Sequence, residues 1–329
     1  MKKFLLTFTL FAVSSLFATP EWGSDFASMS AFQKSAGRSS YVKPIATYMG
    51  TVLNGSWVTG ASIDKSLVFE AGMPFNIAFI SDDDRSYNFN GIKIPTIFGD
   101  KFEGEIGGSK ELHNLSVFTL PYLQMGLSAF YTRIALRAMY FPSISQLKGY
   151  HLFGFGLQHS FGHFFVDKLP APLKGLDVSL FFGYNSAYVG YTPEDWEGQL
   201  DLNFGSTHTA FIIGYKPISF VEVMLSLGYQ TVSMEAGGNM IEYDGNHATG
   251  NTVKPDVNMD GNGGFRLGFE VAFSFGAFHP TIGVNAGANT SLNANVLYFK
   301  QTLLELNRSE AKDDPVNHVV QEPEEEGSK

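Results

Sequence analysis

The chain has 329 residues, no cysteine, and 22 Lys and Arg against 32 Asp and Glu, a net charge of −10. Disulfides and thiolate metal sites are excluded, and the acidic balance argues against nucleic acid as a partner. Charged residues are only 16%, Gly (35) and Phe (31) are abundant, and the mean hydropathy is −0.01. A chain in which only alternate residues meet lipid has such a bland average.

At the start, Lys2 and Lys3 form a positive region before the apolar stretch Phe4 to Phe17. Leu16-Phe17-Ala18 offers a cleavage site, so residues 1–18 read as a signal peptide removed near Ala18. With no Cys there, lipoprotein anchoring is excluded. Residues 19–40 are small and polar, with a short helix expected from Asp25 to Lys34, and read as a lead-in or a plug in a lumen. Beyond residue 18 no apolar run is long enough for a transmembrane helix.

Strands are expected at 41–53, 66–80, 116–128, 131–142, 149–160, 175–187, 198–216, 220–234, 263–275, 278–287 and 291–300. The clearest is Gly264 to Phe275. Phe265, Leu267, Phe269, Val271, Phe273 and Phe275 alternate with Gly264, Arg266, Gly268, Glu270, Ala272 and Ser274. Successive strand side chains point to opposite faces, so one face is wholly apolar. Leu67 to Phe79, Val221 to Gln230, Arg133 to Tyr140 and Asp177 to Asn185 repeat the pattern. Recurring behind a secretory signal, it predicts an all-β chain, a transmembrane antiparallel β-barrel of about 12 strands, within 10 to 14, over residues 41–300. Long connections (82–115, 188–197, 235–262) alternate with short ones (129–130, 217–219, 276–277), as extracellular loops and periplasmic turns do. Eleven strands are odd and put the N-terminus on the wrong side. Either a strand hides in 19–40 or 82–115, or the N-terminal segment passes through the lumen. Residues 301–329 hold eight Asp and Glu and three Lys and Arg, and read as a disordered acidic tail.

Several short motifs punctuate this pattern: Tyr41-x-x-Pro44, Leu53-Asn54-Gly55-x-Trp57, Pro95-Thr96-x-x-Gly99 and Leu120-Pro121-x-x-Gln124-x-Gly126. Arg137, Pro142, Gly154-x-Gly156-x-x-His159 and Gly183-Tyr184 follow. Together they resemble an uncharacterised family of Gram-negative outer-membrane β-barrels, distantly similar to long-chain fatty acid transporters, over about residues 41–300. The resemblance implies a barrel and an outer-membrane location. It carries over neither a settled substrate nor catalytic residues.

Inward parity marks Arg133, Arg137, Arg266, Glu270, Glu222, Glu70 and Asp177 as lumen-lining, either bracing the interior or meeting a solute such as a carboxylate. Asp256-x-Asn258-x-Asp260-Gly261 is like half of a calcium loop, but its twelfth position is Leu267, so it is a weak calcium candidate and otherwise a polar loop. No other cofactor is expected. His159 and His163 are four apart without a third ligand, and no G-x-S-x-G motif occurs, so no enzyme is expected. Trp57, Tyr122, Tyr140, Tyr184, Tyr188, Tyr191, Trp196, Tyr229 and Tyr298 read as an interfacial girdle. The leading function is an outer-membrane barrel passing or binding a small or apolar solute through a constricted lumen. Its partners would be outer-membrane lipid and the barrel-assembly machinery. The alternatives are a structural or interaction barrel and a secreted soluble β-sandwich.

Overall fold

A computed structural model describes residues 39–89, 91–99, 115–192, 196–245 and 247–305. The signal segment, most of the expected lead-in and the tail beyond 305 lie outside these residues. Helix α1 (Ser39–Leu53) precedes β1 (Leu67–Phe79), the small hairpin β2 (Ser86–Phe89) and β3 (Ile92–Pro95), and then β4 (Val117–Pro121) and β5 (Leu123–Ala129). Next come β6 (Thr132–Phe141), β7 (Leu147–Ser160), β8 (Leu176–Tyr191), β9 (Trp196–Ile218) and β10 (Val221–Asp244). β11 (His247–Val253), β12 (Val257–Asp260), β13 (Gly264–Phe273), β14 (Thr281–Ala286) and β15 (Ser291–Leu304) complete the order.

The sheet closes on itself. Each of β5 to β10 pairs antiparallel with the next, β10 pairs with β13, and β13, β14, β15 and β1 follow until β1 returns to β5. β4 extends the β5 position across Tyr122, β12 does so for β13, and β11 folds onto the end of β10. The ring therefore has ten staves, an even number. Closure leaves no open edge, which makes this a barrel and not a sandwich.

The faces run as alternation requires. On β13, Phe265, Leu267 and Phe269 point outward and exposed, while Arg266 and Ala272 are buried inward. Leu225, Leu227, Ile213, Leu180, Phe182, Leu157, Leu136 and Val284 continue the outer apolar band around the ring. No helix among the described residues is long and apolar enough to cross a membrane. The band is carried by strands.

Near one mouth, called here the near mouth, Leu67 pairs with Leu304, so the first and last staves begin and end together. Turns at 130–131, 219–220 and 276–277 lie at this end, with a longer connection at 161–175. The far mouth carries β2, β3 and the long tops of β9 and β10. There the faces invert. Outward residues become polar (Gln199, Asp201, Asn203, Ser233, Glu235), while Leu200, Leu202, Phe204, Met234, Ala236 and Met240 turn inward and are buried. β9 has 23 residues and β10 has 24, about twice the ~9–11 needed to cross the hydrocarbon. The upper half of the barrel thus stands in water with an apolar interior.

Helix α1 fills that interior. Residues 41–53, expected as the first strand, are this helix, and without them the eleven expected strands become ten staves. Tyr41, Val42, Ile45, Ala46, Tyr48, Met49, Val52 and Leu53 are all buried in one cluster with the inverted faces of β9 and β10. Tyr41, Val42, Ile45, Tyr48, Met49, Val52 and Leu53 recur at helical spacing, with Lys43, Thr47, Gly50 and Thr51 on the other side. The helix's β-branched residues argue for a strand locally. Pro44 is tolerated because it removes only the bond to Ser40, near the helix start. Gly50 lets the helix touch the wall: a Cβ there would lie 2.6 Å from that of Val232.

Two further boundaries move. Residues 301–304, expected in the tail, complete β15. Most of 235–262, expected as a loop, is the hairpin of β10, β11 and β12.

Candidate functional site: a plugged lumen

After Leu53 the chain leaves the helix and descends through the barrel as an irregular segment. Asn54 faces Asn185 and Ser206, Ser56 donates to Asn76, and Ala61 N–H donates to Glu222 at 2.8 Å. At the bottom the carbonyls of Asp64 and Lys65 accept from Tyr131 and Phe130 in the near-mouth turn. The N-terminal segment therefore passes through the lumen, which explains the parity of the strands. The plug is residues 39–66, of which only Ser39 and Ser40 fall in the expected lead-in.

The last turn of α1 and the irregular segment after it present carbonyls with no backbone partner, and buried carbonyls need donors. Three arginines supply them. Arg137 Nη1 and Nη2 donate to the carbonyls of Leu53 (2.7 Å) and Gly55 (2.6 Å), while Nε donates to Gln124 at 2.7 Å. Arg133 donates to the Trp57 carbonyl at 2.8 Å, to Tyr298 Oη at 2.9 Å and to Glu70, which also faces Lys300 Nζ at 3.7 Å. Arg266 reaches Gln230, Ser291 and the Thr51 carbonyl.

Trp57 is the anchor, 1% exposed. The Arg137 guanidinium lies 3.5 Å from its ring centroid and 4.5 Å from that of Tyr122. Under the indole, Gly154, Gly156 and Gly183 form a floor. A Cβ on any of them would come within 3.1 Å of the ring. Much of the family resemblance thus converges in space, since Leu53, Gly55, Trp57, Gln124, Arg137 and these glycines build one latch.

The expected lumen residues are placed as their parity requires. Arg133, Arg137, Arg266, Glu70, Glu222 and Glu270 are buried inward. Asp177 lies at the near mouth, accepting from Ser160 and from Gly162 N–H. The arginines hold the plug and present no open anion site in this state. Glu270 accepts from Asn293 at 2.9 Å, and Glu222 caps two plug amides. Asp256, Asn258 and Asp260 do not wrap a loop. Asn258 and Asp260 lie in β12, paired with Glu235 and Ser233, and all three side chains are exposed at alternate positions. Among the described residues no three His, Asp or Glu side chains gather as a metal site.

Trp57, Tyr122 and Tyr298, expected in the girdle, are lumen residues instead. Gln124, Asn185, Gln158 and His208 also belong to the lumen. Their inward parity was readable, but the partner they face was not. At the far mouth, the Tyr48 hydroxyl donates to Asp84 at 2.7 Å, and burial with that carboxylate raises its pKa.

Two spaces remain. A cavity of about 20 Å³ beside Trp57, His208, Met224, Arg266, Glu270 and Asn293 has room for about one water. Trp57 Nε1, His208 Nδ1, Arg266 Nε, Asn285 Nδ2 and Asn293 Oδ1 around it have no protein partner. Below the plug a vestibule of about 830 Å³ opens at the near mouth, lined by Ser62–Ser66, Tyr131, His163, Lys174, Asp177 and Lys216 among others.

A family model described as "Family of unknown function (DUF6588)" matches residues 1–298. No curated protein matches. Among solved structures, the chain is similar to the translocator domain of the autotransporter NalP from Neisseria meningitidis, with 11% identity, 78% of this chain and 92% of that chain covered, and a TM-score of 0.32. The Pseudomonas putida toluene transporter TodX has 6% identity, coverage of 80% and 97%, and a TM-score of 0.25. A Pseudomonas aeruginosa FadL homologue has 7% identity, coverage of 76% and 96%, and a TM-score of 0.23. The barrel itself rests on the strand register given above.

Proposed function

The chain belongs to DUF6588, a family of unknown function, and we propose from its own geometry that it is an outer-membrane barrel, closed at rest by residues 39–66, that opens to pass a small polar solute. The outer apolar band supports a lipid neighbour, and the signal-like start supports export. The near mouth, with both strand ends and the short turns, is the periplasmic side. Insertion there would use the barrel-assembly machinery. No catalytic role is assigned.

The observation that carries the reading is the polarity of the plugged lumen. A purely structural core gains from replacing buried polar groups with packed apolar ones. Here the wall keeps Asn185, His208, Arg266, Asn285 and Asn293 with orphaned atoms against the plug. Such a wall is wetted when the plug moves, and the vestibule leads to it. The polar lining favours polar over apolar solutes.

The competing reading, a structural barrel, is favoured by how fully the arginines hold the plug. Bilayer conductance separates the two. The native protein is expected to be mostly closed with rare small openings. Arg137→Ala, which frees the Leu53 and Gly55 carbonyls, should open often. A variant that folds, is less stable and stays silent would leave only the structural reading.

A further inference from the structure

We propose that the closed barrel holds a single halide ion, chloride being the abundant one, in the cavity beside Trp57, where the ion joins the plug to the wall. The site needs only the closed state, whether or not the lumen ever conducts.

The cavity of about 20 Å³ has room for about one water. Its lining residues carry polar atoms with no protein partner, and most of these are donors: Trp57 Nε1, Arg266 Nε and Asn285 Nδ2. An indole N–H, a guanidinium N–H and an amide nitrogen can only donate. His208 Nδ1, equally unpartnered, adds a fourth donor in the tautomer that carries its proton there. The acceptors are Asn293 Oδ1 and the Glu270 carboxylate, which Asn293 Nδ2 already meets at 2.9 Å. All six residues are buried. A water accepts two hydrogen bonds and has two protons of its own to place, so at least one buried donor stays unmet. An ion that only accepts meets them all.

The charges point the same way. Arg133 is ion-paired with Glu70, but among the described residues Arg137 and Arg266 are ion-paired with no carboxylate. Arg137 lies 3.5 Å from the Trp57 ring centroid, and Arg266 lines the cavity itself. Even with Glu270 ionised, two guanidinium charges face one carboxylate, at the level of Phe269 and Val284 in the outer apolar band. An unbalanced charge held away from water is costly, and one monovalent anion restores neutrality. A space for about one water excludes sulfate, phosphate and carboxylates, which leaves a monoatomic ion. Trp57 belongs to the plug, while His208, Arg266, Asn285 and Asn293 belong to β9, β13, β14 and β15. The site therefore forms only where plug and wall meet, and its occupation favours the closed barrel.

The full chain, folded in phosphatidylcholine vesicles, is titrated with urea in sodium chloride, sodium bromide and sodium gluconate at one ionic strength. Chloride and bromide should stabilise it, each tenfold rise in halide above the dissociation constant raising the folding constant about tenfold. Gluconate should not. Location is read in a variant that keeps Trp57 as its single tryptophan, made by Trp22→Phe and Trp196→Phe. Trp57 is 1% exposed and out of reach of collisional quenching. Bromide should therefore quench it only from within the cavity, on a saturable curve with the dissociation constant that the stabilisation gives. Asn285→Asp, which puts a carboxylate oxygen where the unpartnered Nδ2 stands, supplies the missing charge itself. It should still migrate faster unboiled than boiled, and it should lose both responses. Equal stability of the native chain in the three salts, with no saturable quenching of Trp57, would leave the cavity to water and overturn the site. Halide stabilisation without quenching of Trp57, or with both responses intact in Asn285→Asp, would put the ion elsewhere and overturn it too. Should Asn285→Asp not fold, the single-tryptophan chain decides alone.

Discussion

Leu225 and Phe269 lie opposite each other on β10 and β13, both pointing outward, 57% and 46% exposed. The outer apolar run on β10 extends from Val221 to Tyr229. Eight residue steps at about 3.4 Å give about 27 Å along the strand. A tilt of about 40° leaves roughly 21 Å across the membrane, close to the ~25 Å apolar band of such barrels. Leu225 is the centre of that run, so this register pair marks the bilayer midplane. Leu225→Arg and Phe269→Arg should each destabilise by about 2–4 kcal/mol. Ser233 points outward on the same strand, eight residues higher. It lies about 21 Å above the midplane by the same geometry, beyond the half-thickness of about 15 Å. Ser233→Arg should therefore change stability by about 0–1 kcal/mol. Urea titration of the three variants in phosphatidylcholine vesicles gives the ladder directly. Equal costs at all three positions, or a larger cost at Ser233, would refute both the band and the face inversion above it.

Trp57→Ala should lower stability by about 3–5 kcal/mol, and it should raise the open probability in a bilayer because Arg137 loses the ring it packs on. Truncation after Leu306 should leave a barrel that migrates faster unboiled than boiled. Truncation after Phe299 should abolish that band, because it unpairs Leu67 to Glu70 and removes Lys300 from Glu70. In the near-mouth turn, burial and Lys300 hold the His279 imidazole below its ordinary pKa, and Ser274 Oγ lies 3.0 Å from its Nδ1. The unfolded chain then takes up the proton first, so stability is present above about pH 6.5 and falls as pH drops below it. His279→Gln should flatten that slope in thermal melts taken between about pH 7.5 and about pH 5.5.

Alternation by itself settled much of the wall. Ten of the eleven expected strands are staves, because a period of two survives whatever lies on either side. The inward parity of Arg133, Arg137, Arg266 and Glu70 followed from the same rule. Three things did not. The greasy residues of β9 and β10 change sides between Phe211 and Phe204, yet the alternation never breaks. Only the surroundings, lipid below and water above, decide which side must be apolar. Helix α1 was read as a strand because Val42, Ile45, Thr47, Thr51 and Val52 suit a strand as well, although Tyr41, Val42, Ile45, Tyr48, Met49, Val52 and Leu53 recur at helical spacing. Local sequence places a side chain on a face, but it does not say what occupies the space beyond. That is why Arg137 was legible as a lumenal charge, while its hold on the Leu53 and Gly55 carbonyls, and the Trp57 ring on its floor of Gly154, Gly156 and Gly183, were decided only when distant segments met inside the closed barrel.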